Sequence, residues 1–301
     1  MTIAAYKGQG TAASGTTGAI TPTNGTHAAG DYLLLLLAGN VTDFTTTNAL
    51  TGGRWATNAV KLGSGLSTDS NVLLEAWVLI AASVSETNPT ITPTGANNTH
   101  GVVLVFESQH ATIPTNEISI AISGAATAGL IYMPGFTSRV DDLLVINVAA
   151  WALDGTGPIF TGETNSSLGS LTERYDAGTA GGNGSGIGVW TGTKASAGQV
   201  LPTQVAAGGT SNFVVMTLAL NPIADKTIAG TVTIDGAAAA NGNDVRALDV
   251  TQPAASYLCS VAVTTGGTGA FSISAPYTSH SYQAVYEDGS SYGASAVAAA
   301  V

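Results

Sequence analysis

Histidines are the first side chains to weigh, because imidazole can act as a general base or bind a metal near neutral pH. The chain has four of them: His27, His100, His110 and His280. A metal site needs a second His, Cys or carboxylate at a spacing such as H-x-x-x-H, and none of the four has one. His27 and His100 each precede a predicted strand, where a solvated loop histidine is expected. We therefore predict no catalytic or metal-binding role for these residues.

Serine- and glycine-rich segments are the next candidates for chemistry. A nucleophilic serine needs the strained turn G-x-S-x-G, and neither Gly63-Ser-Gly65 nor Asn183-Gly-Ser-Gly186 has that spacing. The stretch 178–188 has the glycine content of a phosphate-binding loop. It lacks the Lys-Ser/Thr ending, and no helical pattern follows it to supply a positive dipole. We interpret this stretch as a flexible loop tip.

Carboxylates could hydrolyse a glycoside if two of them faced each other across a cleft, roughly 5–9.5 Å apart. The densest acidic neighbours in the first 222 residues are Asp141, Asp142, Glu173 and Asp176. Nothing in the sequence places a second acid opposite any of them. Asp142 has a counterpart in Asp31 at the start of a similar segment, which favours a shared role at strand entry. We predict that the chain is not an enzyme and binds no cofactor.

Four aromatic residues are the candidates for contact with another molecule. Trp55 and Trp151 lie beside loop segments, and together with Tyr132 and Tyr175 they could stack on a sugar or on a partner protein. The alternative is that these rings are half-buried and cover the ends of a β-sandwich. The predicted site therefore contains contact residues only, with no catalytic, cofactor or metal residue.

The elements that position these side chains are mostly strands and turns. Only 9% of residues are charged and 38 are glycine, whereas 45% are hydrophobic. Helix surfaces need Glu, Lys, Arg and Gln, so this composition favours strands. The apolar runs are regular and long enough to bury, which argues against disorder.

Charge and cysteine content limit the partners and the compartment. The net charge is −11 with 8 Lys plus Arg, so neither a nucleic acid nor an anionic membrane is expected as a partner. Cys259 is the single cysteine, which excludes an intrachain disulfide and predicts a buried, inert thiol. The first residues lack the features of a signal peptide, and Leu33–Leu37 is too short to span a bilayer. We expect synthesis in a cytoplasm.

Two segments of the chain carry the same features in the same order. These are an opening Asp, a Trp strand and an apolar closing strand, at Asp31, Trp77 and Val102 and again at Asp142, Trp190 and Phe213. The closing strand begins 71 positions after the Asp in both segments, and the Trp lies 46 and 48 positions after it. This internal repeat predicts a duplicated β-rich unit in which each Trp is a core anchor. A leading strand is expected before each segment, at residues 4–7 and 118–122.

The fold class follows from short strands, frequent turn signals and almost no helical periodicity. Leu33–Leu37 and Leu143–Val148 are apolar at nearly every position, which suits strands buried on both faces. We predict an all-β chain with two duplicated antiparallel β-sandwich (jelly-roll-like) units at residues 1–112 and 113–222, a linker at 223–226, and a small Ig-like or transthyretin-like sandwich at 227–301.

The C-terminal module resembles the carboxypeptidase-regulatory or transthyretin-like β-sandwich family. The resemblance lies in four blocks, Ile228–Gly236, Val245–Asp249, Gly269–Ile273 and Tyr282–Tyr286. Thr268 stands where the family usually has Asp, so no inherited role is expected there. The family implies a spacer or adhesion module that does no chemistry. Its apolar tail, Ala294–Val301, is expected to pair with a sheet edge.

Residues 1–222 resemble the tandem β-sandwich structural proteins of tailed bacteriophage virions, through the opening, Trp and closing strands described above. The resemblance implies a non-enzymatic component on the virion exterior, as a capsid decoration or cement protein or as a tail or fibre accessory. Its partners would be capsid or tail subunits, and it would be a homo-oligomer or bound to a lattice, assembled in the host bacterial cytoplasm. The alternative is a surface adhesin that binds a host surface glycan through Trp55 and Trp151.

Overall fold

The computed structural model describes most of the first 220 residues and the strands that follow them. The described parts are 3–16, 18–41, 49–67, 72–93, 96–107, 118–125, 130–138, 142–152, 159–179, 184–207 and 212–220, with strands between 227 and 299. Side chains are described only up to residue 220, and there not for 41, 96–97 or 118–125. The candidates His110, Asp141 and His280 lie outside the described residues. Two compact units are present, residues 3–221 and a unit made mainly of 222–301.

The described residues of the first unit form strands and one short helix. Its strands are β1 (Tyr6–Gln9), β2 (Ala13–Gly15), β3 (Tyr32–Val41), β4 (Ala49–Thr51), β5 (Val60–Leu66), β6 (Val72–Ile80), β7 (Thr90–Thr92), β8 (Ala96–Phe106), β9 (Ile118–Ala125), β10 (Leu130–Met133), β11 (Phe136–Ser138), β12 (Leu143–Trp151), β13 (Phe160–Thr164), β14 (Gly169–Gly178), β15 (Gly186–Lys194), β16 (Gly198–Val200), β17 (Thr203–Ala207) and β18 (Asn212–Leu220). Helix α1 (Trp55–Asn58) is a single turn between β4 and β5. Among the described residues, no helix has the length and apolar character that crossing a membrane requires.

Two large antiparallel sheets repeat one strand order. Sheet 1 has the order β1-β8-β3-β6-β5, with β2 also paired to β8, and sheet 2 has the order β9-β18-β12-β15-β14. The central strands (β3 and β12), the Trp strands (β6 and β15) and the closing strands (β8 and β18) therefore have equivalent neighbours in the two sheets. The expected leading strands are confirmed, because β1 pairs with β8 and β9 pairs with β18. The all-β class with antiparallel sheets is confirmed as well.

The registers correct the alignment of the two closing strands. Trp77 lies opposite Leu35, and Trp190 lies opposite Asn147. The same two central residues pair on their other side with Val103 and Thr217. The equal spacing from Asp31 and Asp142 instead matches Val103 with Val214, three positions before Thr217. The sequence alignment of these strands is wrong by an odd number of residues, which exchanges inward and outward side chains.

Two smaller sheets accompany the large ones at equivalent points of the chain. Sheet 3 contains β4 and β7, and an isolated bridge joins Ile20 to Ile91 of β7. Sheet 4 has the order β10-β17-β13, and β11 pairs with β16 in a separate ribbon. β4 and β13 each follow a central strand, and β7 and β17 each follow a Trp strand. The duplication therefore includes the small sheets.

Three buried clusters account for the core of the first unit. The central cluster joins apolar side chains of sheets 1 and 2, including Leu34, Leu36, Leu74, Val102, Leu104, Ile146, Val148, Val189, Val214 and Met216. The first outer cluster, on the other face of sheet 1, includes Leu33, Leu35, Leu37, Trp55, Ile91 and Val105. The second outer cluster, on the other face of sheet 2, includes Ile131, Met133, Trp151, Phe160, Trp190 and Phe213. Each fully buried large apolar side chain contributes about 1.5–3 kcal/mol. Because the central cluster contains side chains of both sheets, the two repeats lie in one compact unit.

The alternating burial explains why the central strands are apolar throughout. Leu33, Leu35 and Leu37 point into the first outer cluster, while Leu34 and Leu36 point into the central cluster. Both faces of β3 are therefore removed from water, as its five consecutive leucines predict. β12 is buried at every position in the same way.

The second unit is also β-structure. Its strands are β19 (Thr227–Thr231), β20 (Thr233–Ile234), β21 (Ala237–Ala238), β22 (Asp244–Asp249), β23 (Tyr257–Val263), β24 (Ala270–Ser274), β25 (Ser281–Glu287), β26 (Tyr292–Ala294) and β27 (Ala298–Ala299). β20 and β21 pair with Ile234 opposite Ala237, as the Asp-Gly turn signal predicts. β27 pairs with β25, which confirms for Ala298–Ala299 the expected pairing of the tail with a sheet edge.

Candidate functional site

Trp55 and Trp151 are core residues. Trp55 is 1% exposed and its Nε1 donates to Asn24 Oδ1 at 3.2 Å, while Trp151 is 2% exposed and packs edge-on against Phe160 with ring centroids 4.6 Å apart. An indole buried in this way has no free face for a sugar or a partner protein. The prediction that these two residues make external contacts is therefore wrong. The prediction rested on their position beside loops, but both rings point into the outer clusters.

The remaining two candidates lie apart from each other. Tyr132 is 51% exposed on β10, and its role as a contact residue stays a prediction. Tyr175 is buried and bonds to His100, so the prediction of an external contact is wrong for it too. The four residues belong to different clusters or faces, and they do not form one site.

His100 and Tyr175 form a buried link between sheets 1 and 2. His100 lies within β8 and Tyr175 within β14, and the His100 Nε2 atom is 2.6 Å from the Tyr175 hydroxyl. The rings are stacked, with centroids 5.8 Å apart. His100 is 4% exposed, so the expected solvated loop histidine is wrong at this position. The link therefore joins β8 of the first repeat to β14 of the second.

Burial keeps both partners of this link neutral. It lowers the pKa of His100 to about 4, and within the described residues its Nδ1 has no hydrogen-bond partner. Burial also raises the pKa of Tyr175 to about 12, with a smaller effect from Asp176. Adding a proton to His100 would place an uncompensated cation between the sheets, which is costly. The pair therefore acts as a structural clasp at neutral pH.

A second contact between the repeats involves Arg174 and Tyr6. The Arg174 Cζ atom lies 4.8 Å from the centroid of the Tyr6 ring, a cation–π geometry. Arg174 Nε also donates to Thr191 Oγ1 at 2.7 Å, which fixes the guanidinium. Burial raises the pKa of Tyr6, and the charge of Arg174 opposes this.

The predicted acidic group has a local structural role. Asp176 Oδ2 accepts the backbone N–H groups of Ile159 and Phe160, both at 2.8 Å, and so holds the start of β13 against β14. Burial raises the pKa of Asp176 to about 6, against these two hydrogen bonds and with a smaller effect from Glu173. Burial and the nearby Glu163 raise the pKa of Glu173, and the Trp190 indole opposes this. No three His, Cys, Asp or Glu side chains of the described residues are grouped to hold a metal.

The glycine-rich stretch contains strand residues that make room for aromatic rings. Gly178 ends β14, and Gly186 and Gly188 lie in β15, so the loop interpretation is wrong for residues 178 and 186–188. Residues 180–183 lie outside the described part of the chain. A Cβ on Gly186 would lie 2.2 Å from Trp151 Cζ2, and one on Gly188 would lie 2.4 Å from Trp190 Cη2. Phe160 packs edge-on between these two indoles. Glycine is needed here for space.

Asn24 is the centre of a hydrogen-bond network that sequence reasoning missed. Its Nδ2 donates to the carbonyls of Glu86 and Thr87 at 2.9 and 3.1 Å, and its backbone N–H donates to Asn88 Oδ1 at 3.0 Å. These three bonds hold the segment between β6 and β7. The Asn24 Oδ1 atom accepts from Trp55 and so links the same residue to helix α1. An Asn followed by glycine reads as a turn, and only the distant partners reveal its role.

Arg54 and His27 complete this network. Arg54 Nη1 donates to Glu86 Oε1 at 2.7 Å and to the Ile80 carbonyl at 2.9 Å. Although burial raises it, the pKa of Glu86 is lowered overall by the Ala82 N–H and by Arg54. His27 Nδ1 lies 2.8 Å from the Gly25 carbonyl, and the ring is buried, so the expectation of a solvated loop histidine is wrong here as well.

Comparison with known proteins gives no match. No family model matches the chain, and neither a curated protein nor a solved structure is significantly similar to it. The resemblances to phage virion proteins and to transthyretin-like domains therefore stay predictions.

Proposed function

We propose that the protein is a non-enzymatic structural component of a bacteriophage particle. It lies on the virion exterior, as a capsid decoration or cement protein or as a tail or fibre accessory, and acts by protein–protein assembly. In this proposal the two repeats are tandem jelly-roll-like β-sandwiches, and the C-terminal unit is an Ig-like sandwich. The observation that carries it is the duplicated five-strand order of sheets 1 and 2 around one shared central cluster.

The polar side chains support a structural role. Asp31 accepts hydrogen bonds from Lys7 and from the backbone of Ala28, and Glu75 pairs with Lys61. Glu86 and Asp176 also accept backbone N–H groups, and the Asn24 amide donates to a backbone carbonyl. Side chains used in this way stiffen a building block, and stiffness lowers the entropy lost when it joins an assembly.

Composition supports assembly with other proteins. With 9% charged residues, much of the surface consists of neutral side chains. Such a surface is typical of a subunit whose faces meet other subunits. The proposed partners are capsid or tail proteins and further copies of this chain, assembled in the host cytoplasm.

Quantitative mass spectrometry of purified particles tests the proposal. Particles encoded by the same genome are expected to contain the chain at a fixed copy number after washing in high salt. Hundreds of copies would indicate a coat of the head or tail tube, and a handful would indicate a tip or collar. Absence from purified particles, with the protein present in infected cells, would refute the proposal.

The alternative is an adhesin or glycan-binding module, and it has lost its main support. Burial of Trp55 and Trp151 leaves Tyr132 as the exposed member of the predicted contact set. A glycan array with the native chain and a Tyr132→Ala variant separates the two classes. Specific binding that the variant loses would favour the adhesin, whereas silence on glycans together with co-sedimentation on particles favours the structural component.

A further inference from the structure

Strand β10 forms one edge of sheet 4. It pairs with β17, with Leu130 opposite Ala206 and Tyr132 opposite Gln204, and among the described strands it has no second neighbour. One row of its backbone N–H and C=O groups is therefore directed away from the sheet. Such an edge is a template for a further strand.

The side chains of β10 alternate between anchoring and exposure. Ile131 and Met133 are buried in the second outer cluster, which fixes the strand in place. Leu130 and Tyr132 are 47% and 51% exposed on the opposite face. Leu201, 39% exposed, lies nearby, because the backbone at this residue approaches Gly135 closely. Three of the five exposed large hydrophobic residues in the described part are thus gathered around one short strand.

The two edges of sheet 4 differ in their protection. β13, at the opposite edge, carries Glu163 and a register shift between Thr161 and Thr164, with Gly162 at φ 65°. A charge and a bulge are common devices that prevent edge-to-edge pairing. Between Leu130 and Ser138, by contrast, there is no Asp, Glu, Lys or Arg, and β10 pairs in regular register.

Charge favours a second copy of this chain at the β10 edge. Two molecules of net charge −11 repel each other wherever acidic groups meet. Neither 130–138 nor 198–207, the segments that surround this edge, contains a charged residue. A patch without charge is where like-charged copies can approach. An antiparallel edge is also complementary to itself, because a two-fold rotation places its donors opposite its own acceptors.

We propose that β10 pairs in antiparallel fashion with β10 of a second copy, joining two three-stranded sheets into one of six strands. The inference rests on the proposed structural role and names the partner at this edge. Matching the exposed faces requires an even register, with Ile131 on the two-fold axis. Leu130 then lies opposite Tyr132 of the second copy. On the other side of the axis, Tyr132 lies opposite Leu130 of the second copy. Aliphatic–aromatic pairs of this kind stabilise neighbouring strands.

The contact is small, which sets its expected strength. Four residues and two side-chain pairs fall short of the roughly 1,200 Å² that a stable interface buries. We therefore expect reversible dimerisation at high concentration, with a dissociation constant between about 10 µM and 1 mM. On a symmetric particle, many such contacts would act together.

Sedimentation equilibrium of the full chain, from about 5 µM to 1 mM, is the first test. We expect a concentration-dependent dimer. Tyr132→Lys should weaken it at least tenfold, because each lysine would replace the aromatic ring that packs on Leu130 of the second copy and would bring a charge into the contact. Val84→Lys is the matched control: Val84 is 72% exposed outside sheet 4 and should leave association unchanged. Thermal unfolding of each variant checks that the fold is retained. A monomer at every concentration, or equal weakening by Val84→Lys, overturns the inference.

Disulfide cross-linking tests the register in a Cys259→Ser background. A chain with Leu130→Cys and Tyr132→Cys should form a covalent dimer under mild oxidation, since each new thiol faces its complement in the second copy. Tyr132→Cys alone should not, because its thiols would lie on opposite sides of the axis. Cross-linking by the single variant alone, or by neither, refutes the pairing. A chain that is present in particles yet monomeric refutes the pairing alone, whereas a chain that dimerises and is absent from particles refutes the proposed function alone.

Discussion

The two repeats share a strand order but fill their outer clusters with different chemistry. Counting from the two tryptophans along the Trp strands, Glu75 of β6 corresponds to Gly188 of β15. In the first repeat Glu75 is buried and pairs with Lys61 at 2.5 Å, and the Lys61 Nζ lies 5.3 Å from the Trp77 ring centroid. In the second repeat the ring of Phe160 occupies the space above Gly188.

The difference shows that the strand order tolerates unlike cores. The first repeat uses an ion pair beside a half-buried indole, and the second uses three aromatic rings packed edge to face over glycine. Leu73 in β6 corresponds in the same count to Gly186, which makes room for Trp151. A strand position that carries a side chain in the first repeat is thus glycine in the second, where a ring from another strand lies against it, as close packing of a core requires.

The largest expected change in stability is the loss of Trp190, and the loss of Trp77 should cost much less. Trp190→Ala should lower the free energy of unfolding by about 4 kcal/mol, because it removes a fully buried ring that packs against Phe160. Trp77→Ala should cost only about 1–2 kcal/mol, since Trp77 is half-buried and its loss admits water. Urea unfolding followed by circular dichroism measures both. Equal losses would show that the repeats use their tryptophans alike and would contradict the comparison.

Breaking the ion pair of the first repeat should have the next largest effect. Lys61→Met leaves the Glu75 carboxylate buried without its cation, so we expect a loss of about 3 kcal/mol. The double variant Lys61→Met with Glu75→Leu should recover most of this loss, because no charge is then left in the core. A double-mutant cycle from urea unfolding gives the coupling. Coupling below about 0.5 kcal/mol would place the pair with ordinary surface ion pairs.

Adding a methyl group to Gly188 tests the second repeat. The new Cβ would lie 2.4 Å from Trp190 Cη2 and 2.6 Å from Phe160 Cδ2, so Gly188→Ala should cost about 2 kcal/mol. Gly169→Ala is the matched control in β14, where the added Cβ would lie 3.1 Å from Thr193 Oγ1 and 3.8 Å from the Thr193 carbonyl oxygen. Chemical unfolding of both variants is the measurement. A cost at Gly188 no larger than at Gly169 would show that the rings adapt freely.

The smallest effect concerns the clasp where the repeats meet, and it depends on pH. Burial lowers the folded-state pKa of His100 to about 4 from its ordinary value of 6.5, so between pH 6.5 and pH 4 the unfolded chain binds more protons at this residue than the folded one. Stability is therefore lost as pH falls from 6.5 towards 4, by roughly 1–2 kcal/mol between about pH 6 and pH 4.5. Asp176 has its pKa raised from 3.8 to about 6, so in that window it contributes with the opposite sign.

Two variants separate these opposing contributions. Asp176→Asn should steepen the loss of stability in acid, because the contribution of His100 is then no longer offset. His100→Gln should flatten or reverse the acid response. Urea midpoints between pH 4 and pH 7 provide the comparison. An unchanged pH profile in His100→Gln would mean that the clasp does not control acid stability.

The strands themselves were predictable, and their partners were not. Leu33–Leu37 and Leu143–Val148 predict strands that are buried on both faces, because an uninterrupted apolar run has no polar face to expose. The registers of the closing strands depend on pairing across long loops, and a difference of a few residues in loop length removes any fixed sequence spacing. Sequence spacing therefore reveals the duplication, but it aligns Val103 with Val214, whereas strand pairing makes Thr217 the equivalent residue.

The side chains around the site were harder to predict for a related reason. Trp55 comes after Gly52, Gly53 and Arg54, and the local sequence does not tell whether its ring faces water or Asn24. His100 looks like a loop residue until its partner is known, and Tyr175 lies 75 positions away. Gly186 and Gly188 read as a loop because glycine lacks a side chain. The space they leave is used by Trp151, Phe160 and Trp190, which no local window connects to them.

The shared central cluster has a consequence for how such a chain could originate. A gene that encoded one repeat alone would make a polypeptide with an entire apolar sheet face uncovered, including Leu34, Leu36 and Leu104. That polypeptide would need a twin to cover it. The present chain has the layout of such a pair joined in one reading frame, so that each half meets its counterpart without having to find it by diffusion.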